Sequence, residues 1–167
     1  TVSIANFEHF NCWGVSADGS IAVVLCEVPP TTDKDKSFAN LNILTLPEGE
    51  SLLVKKMNIV SKVALSKDGS RVFMVETGVE SGGLQVIHRP RGGGYSQAKG
   101  IRLKADSEKQ EVTAMYVSSE QEDTLYVALS NLEIHSLKLG EEDMSFSYTM
   151  ELYCKVDSTV LSMIYMN

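Results

Sequence analysis

The sequence predicts an all-β fold in which three sets of four antiparallel strands follow one another along the chain. Two similar stretches, VSADGSIAVVL (15–25) and LSKDGSRVFMV (65–75), begin 50 residues apart. Short runs rich in Val, Ile, Tyr and Phe, bounded by Gly, Asp, Asn or Pro, fill the rest of the chain and are typical of strands. No stretch of about 11 residues or more has a convincing helical period. The repeat therefore predicts an architecture of similar sheets arranged in series.

The predicted strands share the alternating pattern expected of sheets with a buried face. The first set is predicted at 10–16, 21–28, 40–46 and 51–56. The second set is predicted at 59–66, 71–77, 84–88 and, less clearly, 100–105. The third set is predicted at 111–118, 124–130, 132–138 and 145–153. A further strand is predicted at 1–7, before the first set.

The sets can also be aligned residue by residue, which is a stricter test than counting strands. The first strand of each set, which we call its opening, provides the alignment. Four successive openings have Trp13, Val63, Met115 and Met163 at the same place, at offsets of 50, 52 and 48 residues. The fourth opening is the stretch 159–167. We therefore expect the three sets to share one strand register, and a fourth set to begin near residue 159.

Tight turns separate the first and second strands of the first two sets. Asp18-Gly19-Ser20 and Asp68-Gly69-Ser70 combine a residue that tolerates positive φ with an Asp that can bond its own backbone. The third set has the longer polar stretch SEQED (119–123) instead. Repeats of about 40 to 50 residues with four strands each are typical of β-propeller blades. The predicted blades are 9–57, 58–106 and 110–154, with a further blade starting at 159–167.

The stretch VALSKDGSRVFMVETGVESGGLQVIHRP (63–90) resembles most of one repeat of the WD-repeat and YVTN-like β-propeller families. GVSADGSIAVVL (14–25) resembles the first half of another repeat. The Gly-His and Trp-Asp pairs of WD repeats are missing, because Trp13 is followed by Gly14 and no histidine follows a glycine. The resemblance is thus to a divergent propeller, and it implies a platform for protein partners.

Three blades are fewer than the roughly four to eight with which propellers close. Each exposed sheet face would leave several Val, Ile or Leu side chains uncovered, at about 1.5–3 kcal/mol each, against a total domain stability of about 5–15 kcal/mol. The chain is therefore expected to be a segment of a larger propeller or to pair with another chain. The alternative is a compact β-sandwich in which the repeats are coincidental.

Composition limits the class of partner and the compartment. A net charge of −7 opposes general binding to nucleic acids or anionic membranes. No apolar run reaches the roughly 20 residues of a membrane helix, and the first ten residues do not resemble a signal peptide. Cys12, Cys26 and Cys154 are odd in number and lack metal-binding spacing, and the sequence has no N-x-[ST] sequon. We expect a cytoplasmic or nuclear protein without disulfides.

No catalytic, cofactor or metal site is predicted. His9, His88 and His135 lie in three different sets, far from metal-ligand spacing. The sequence has no nucleophile elbow, and the glycines of RGGGYSQAKG (91–100) do not form a phosphate-binding motif. The acidic stretches 119–123 and 140–144 fit solvent-facing turns. The chain is therefore not expected to be an enzyme, although a site elsewhere in a complete propeller remains an alternative.

One basic stretch stands out against the acidic background, because 88–104 has no acidic residue. Its arginines and lysines could bind an anionic partner or RNA, and its tyrosine offers a stacking face. The candidate partner-binding residues are Arg89, Arg91, Tyr95, Lys99, Arg102 and Lys104. A solvated loop is the simpler interpretation. The function that the sequence favours is a protein-interaction scaffold within a multiprotein complex, whose partners are other proteins or the remaining blades.

Overall fold

The computed structural model describes residues 10–28, 37–77, 83–103, 110–118, 120, 124–139 and 148–163. The described residues form thirteen β-strands and no helix. The strands belong to three sheets, which we call blades 1, 2 and 3. The predicted all-β fold class is thereby confirmed.

The strands of each blade follow chain order from one edge of the sheet to the other, with one exception. Blade 1 consists of β1 (Phe10–Val15), β2 (Ile21–Val28), β3 (Phe38–Thr45) and β4 (Ser51–Met57). Blade 2 consists of β5 (Val60–Leu65), β6 (Arg71–Glu76), β7 (Leu84–His88), β8 (Lys99–Arg102) and the exception, β12 (Tyr148–Thr149). Blade 3 consists of β9 (Val112–Ser118), β10 (Thr124–Leu129), β11 (Glu133–Lys138) and β13 (Glu151–Lys155).

The first three blades share one register, as the aligned openings predict. Trp13, Val63 and Met115 each pair with the fourth residue of the second strand of their own blade. The predicted fourth opening, 159–167, does not form a strand in its described part, residues 159–163. Residues 164–167 lie outside the described residues. A further blade from residue 159 therefore stays a prediction, and the predicted strand at 1–7 also lies outside the described residues.

The prediction of one continuous strand at 145–153 is wrong in one respect. Its described part divides between two blades. β12 pairs in parallel with β8 of blade 2, whereas β13 pairs with β11 of blade 3. Between them Met150 is fully buried, and its N–H donates to the Arg102 carbonyl at 2.9 Å. Burial of Met150 in the core between blades 2 and 3 favours this crossing over one continuous strand.

Blade 2 is covered on both faces, because successive side chains of a strand point to opposite sides. In β6, Phe73 and Val75 belong to the core shared with blade 3, and Val72 and Met74 belong to the core shared with blade 1. All four are buried. A sandwich would have two sheets around one core, so three sheets around two cores exclude that alternative.

The two Asp-Gly-Ser turns have the predicted geometry. In blade 1, Asp18 Oδ1 accepts hydrogen bonds from the Ser20 N–H at 2.9 Å and from the Ser16 and Ser20 hydroxyls, both at 2.7 Å. In blade 2, the Ser70 N–H and the Ser66 hydroxyl donate to Asp68 Oδ1, both at 2.9 Å. The turn glycines Gly19 and Gly69 have φ values of 73° and 68°, which residues other than glycine rarely adopt.

These turns also join blade 1 to blade 2. The Asp18 N–H donates to the Lys67 carbonyl at 3.0 Å. Gly69 lies so close to Ile21 that an added Cβ would be 2.5 Å from the Ile21 Cβ. Among the described residues, the equivalent Gly19 of blade 1 has no such neighbour within 4 Å. The turn of blade 2 thus forms a seat for the preceding blade, and no described residue occupies the same seat in blade 1.

The turns are expected to make stability sensitive to acid. The hydrogen bonds from Ser16 and Ser20 lower the pKa of Asp18 below its ordinary 3.8. For Asp68, burial raises the pKa, but the bonds from Ser70 and Ser66 lower it further than burial raises it. Because folding lowers both values, the stabilisation is complete above the unfolded pKa and is lost as pH falls through the folded pKa.

Urea unfolding of the wild type between pH 7 and about pH 2.5 should therefore show a free energy of unfolding that decreases below about pH 4. The double variant Asp18→Asn, Asp68→Asn should be less stable at pH 7 and should lose part of this decrease. Equal acid dependence in the two proteins would contradict a stabilising role for the ionised turn carboxylates.

Candidate interaction surfaces

Blade 1 has a sheet face that no other described blade covers. Side chains directly opposite each other in antiparallel strands share a face, and Trp13, Val24, Asn42 and Val54 form one such row across the blade. Trp13, the only tryptophan of the chain, is 69% exposed and Val54 is 63% exposed. Val15, on the same face, is also exposed. We call this the blade 1 open face.

Blade 3 has a second open face, on the side away from blade 2, and it is lined by tyrosines. Tyr116 and Tyr126 lie directly opposite each other, and both are partly buried. Tyr153 is 60% exposed and meets Tyr126 edge to face, with ring centroids 5.1 Å apart. Burial, followed by the charges of Tyr153 and Tyr116, raises the pKa of Tyr126. The Tyr126 hydroxyl is therefore neutral at physiological pH. We call this the blade 3 open face.

Tyr126 occupies a position with a defined role in the other two blades. It is the third residue of its strand, as Val23 is in β2 and Phe73 is in β6. Val23 and Phe73 are fully buried against the following blade. An apolar ring with a polar tip suits a position that another protein covers, and tyrosine is enriched in such interfaces. Sequence periodicity places Tyr126 on a face, but it does not reveal that the face is uncovered.

Two residues of the predicted basic site, Tyr95 and Arg89, make hydrogen bonds to other parts of the chain. The Tyr95 hydroxyl donates to the Gly69 carbonyl at 2.8 Å, and its ring packs against the core between blades 1 and 2. Arg89 donates from Nε to the Gly93 carbonyl at 3.2 Å, and its guanidinium lies 5.8 Å from the centre of the Tyr95 ring. The tyrosine thus holds the turn of blade 2 in place, which is a structural role that the sequence did not indicate.

The other members of the basic stretch are spread along the edge of blade 2. Arg91 is exposed in the loop after β7, Lys99 begins β8, and Arg102 ends β8 with its side chain exposed. Lys104 lies outside the described residues. Binding of an anionic partner by these side chains stays a prediction.

Sequence reasoning missed one cationic group beside His88, at the start of the basic stretch. Arg71 is 8% exposed and lies directly opposite His88 in the sheet. Burial, followed by the positive charges of Arg71 and Lys99, lowers the pKa of His88, whereas Asp68 acts in the opposite direction. His88 is therefore held neutral at this end of blade 2. The signal was not visible in the sequence, because Arg71 precedes the basic stretch by 17 residues.

The outer strands of blade 3 contain a small charged group. His135 is buried, and its Nε2 lies 3.1 Å from the Glu133 carboxylate. Lys155 Nζ lies 3.3 Å from the other carboxylate oxygen. Within the part of the chain that the structure describes, no group of three His, Cys, Asp or Glu side chains could hold a metal ion. These contacts instead join β11 to β13.

A groove of about 340 Å³ lies between the outer parts of blades 1 and 2. It is lined by Phe38, Lys55, Lys56, Met57, Asn58, Glu76 and Gln85. One oxygen of Glu76 accepts a hydrogen bond from the Asn58 N–H at 3.2 Å, and the other accepts one from the Gln85 amide. Lys56 Nζ lies 3.6 Å from the centre of the Phe38 ring. The Glu76 carboxylate therefore links the segment between blades 1 and 2 to blade 2. The charged groups that the groove offers to solvent are mainly cationic.

Comparisons with known proteins agree with this architecture. No protein-family model matches the sequence, and no curated protein sequence matches it significantly. Among solved structures, the β-propeller domain of Cps50 (Swd1) from Myceliophteria thermophila is similar, with 12% identity and a TM-score of 0.50. The match covers 87% of this chain and 44% of that domain. Hsv2 from Kluyvelomyces marxianus matches with 13% identity and a TM-score of 0.46, over 84% of this chain and 50% of that one.

The likeness to Swd1 shows the fold, and the chain is a divergent β-propeller-like protein, as predicted from the repeats. The chain spans about half the length of each of these two solved structures. The described ranges contain no helix that is long and apolar enough to cross a membrane. Fold alone does not identify a partner or an activity, so function must be argued from the two open faces.

Proposed function

We propose that this chain is a protein-interaction scaffold whose three blades are completed by blades from another source. The observation that carries the proposal is the pair of open faces, each of which presents large apolar or aromatic side chains to solvent. Trp13 and Val54 lie on one face, and Tyr153 lies on the other, all more than half exposed. In blade 2, which has a neighbour on each side, Val63, the equivalent of Trp13, is partly buried against blade 1, and Phe73, the equivalent of Tyr126, is fully buried against blade 3.

Covering these faces is energetically favourable. Complete burial of one large apolar side chain contributes about 1.5–3 kcal/mol, so a blade that covers several of them gains a large part of a domain's stability. Trp and Tyr are the residue types that most often carry interface binding energy. We therefore assign the anchoring roles to Trp13 on blade 1 and to Tyr126 and Tyr153 on blade 3.

The mechanism is geometric rather than catalytic. Antiparallel blades with two apolar cores give a rigid support, and a partner binds to the faces at the two ends of the series. We place this scaffold in the cytoplasm or nucleus, within a multiprotein complex. Binding of an anionic partner by the 88–104 stretch, and catalysis at a site outside this segment, remain predictions from the sequence.

Photo-crosslinking tests the proposal in cells that express the protein. A photoreactive amino acid in place of Trp13 or Tyr153 should form a discrete adduct, and the same amino acid in place of the exposed turn residue Glu48 should not. The crosslinked protein, once purified, should bind the wild type, and Trp13→Ser or Tyr153→Ser should weaken binding at least tenfold (about 1.4 kcal/mol). Equal crosslinking at all three positions, or unchanged affinity, would refute the proposal.

A further inference from the structure

We infer that the partner at both open faces is a second copy of this chain. Two copies would associate head to tail, with the blade 3 open face of each copy covering the blade 1 open face of the other. The product is a closed ring of six blades, three from each copy. This inference rests on the proposed function, since it requires that the open faces receive blades.

Blade 1 has the same kind of turn as the one through which blade 2 contacts its preceding blade. In blade 2 it is the Asp-Gly-Ser turn, where Gly69 contacts Ile21 and the Lys67 carbonyl accepts from Asp18. The blade 1 turn repeats the same internal hydrogen bonds and the same positive φ at Gly19. No described residue lies within 4 Å of a Cβ added at Gly19. A preceding blade can therefore sit on Gly19 as blade 1 sits on Gly69.

Blade 3 presents the complementary half of the interface. Its open face is the side that blades 1 and 2 turn towards the blade after them, and Tyr126 stands at the central position of that side, where blades 1 and 2 have Val23 and Phe73. The single chain thus carries both halves of one repeating interface. Continuity with the two interfaces already formed within the chain defines how the halves fit together.

A second copy can cover both open faces without any other protein. Six blades lie within the roughly four to eight that close a propeller, and a head-to-tail interface forms a ring when its rotation closes. Two copies cover all four open faces at once, whereas a different partner would need to bring both halves itself. The net charge of −7 on each copy opposes association. Added salt screens this repulsion and should strengthen the dimer.

Trp13 reports on the interface directly, because it is the only tryptophan and lies on the blade 1 open face. In a dilution series from about 100 μM to about 1 μM, we expect the sedimentation mass to fall from twice 18.3 kDa to 18.3 kDa. Trp13 emission should move to longer wavelength over the same range. A single mass of 18.3 kDa at every concentration, in low and high salt, would overturn the inference.

Variants on blade 3 test the head-to-tail arrangement. Tyr116→Ser should abolish the concentration-dependent shift of Trp13 emission, although the two residues lie on different blades of one copy. Tyr116 holds the register position of Gly14, and Gly14 approaches Val63, the blade 2 equivalent of Trp13. Tyr116 of the other copy should therefore cover Trp13. The dimer should weaken at least tenfold, and the far-ultraviolet circular dichroism of the monomer should be unchanged. A dimer that forms while Trp13 stays in a solvent-like environment would contradict the arrangement.

The seat at Gly19 has a matched control in the loop after β7. Gly19→Asn keeps the positive φ, which Asn tolerates, and places a side chain where the neighbouring blade should sit. Gly92 has the same φ of 73° and is equally free of neighbours, so Gly92→Asn should leave the dimer intact. The first variant should weaken the dimer at least tenfold. Equal effects of the two substitutions would contradict docking at Gly19.

The outcomes separate this inference from the proposed function. A monomer that crosslinks through Trp13 and Tyr153 to a different protein would overturn the second copy as the occupant and would leave the scaffold proposal in place. A monomer without specific crosslinks at either position would overturn both.

Discussion

Replacing Gly69 with alanine is expected to lower the free energy of unfolding by about 2–5 kcal/mol, whereas Gly19→Ala should cost about 1–2 kcal/mol. Both glycines have positive φ, and an L residue in that conformation costs about 1–2 kcal/mol. Only at Gly69 would the new methyl group lie 2.5 Å from Ile21 Cβ. Forcing an extra methyl into a packed site adds about 1–3 kcal/mol. The difference between the variants therefore measures the contact between blades.

Chemical denaturation of both variants in dilute solution provides the measurement, because at low concentration the seat at Gly19 is unoccupied even where copies associate. The double variant Ile21→Ala, Gly69→Ala should cost less than the sum of the two single variants, since it removes the Cγ1 and Cγ2 atoms that would lie 2.6 Å and 3.0 Å from the added methyl group. If Gly69→Ala and Gly19→Ala cost the same, the turn of blade 2 does not form a close seat for blade 1. The docking at Gly19 inferred from it would then lose its template.

The sequence is sufficient to predict the turns, because their requirements are local. An Asp followed by a Gly provides both the side-chain acceptor and the positive φ within three residues. The strand register follows from the same repeat, since Trp13, Val63 and Met115 occupy equivalent pairs. What distinguishes Gly69 from Gly19 is a residue of the neighbouring blade. No property of the turn itself indicates whether that neighbour is present.

Non-local contacts also explain why the sequence did not show the structural role of Tyr95 in the basic stretch. A tyrosine in a glycine-rich loop with arginines fits a stacking platform when only nearby residues are considered. Its hydroxyl partner, the Gly69 carbonyl, is 26 residues away in sequence. The division of 145–153 has the same origin, because alternation along a strand does not indicate with which sheet each part pairs. Met150 is buried because two blades meet there.

Phe73→Ala is expected to destabilise the chain by about 3–5 kcal/mol, and Tyr126→Ala by only about 1 kcal/mol. The two residues hold equivalent positions in β6 and β10, so the backbone setting is the same. Phe73 is fully buried between blades 2 and 3, and its removal leaves a cavity among well-packed neighbours. Tyr126 is partly exposed and loses mainly its edge-to-face contact with Tyr153, a contact of about 0.5–1.5 kcal/mol.

Urea unfolding of the two variants in dilute solution gives the comparison, with Phe73→Leu as a control that keeps most of the buried volume and should cost less than half as much as Phe73→Ala. The ratio of the two alanine costs reports whether the blade 3 open face is covered in the isolated chain. If Tyr126→Ala were as costly as Phe73→Ala, the face would already be packed within the chain, and it could not receive a blade. A small cost in the monomer together with a large loss of association is the combination that an interface residue requires, because its ring contributes little until a partner excludes water from it.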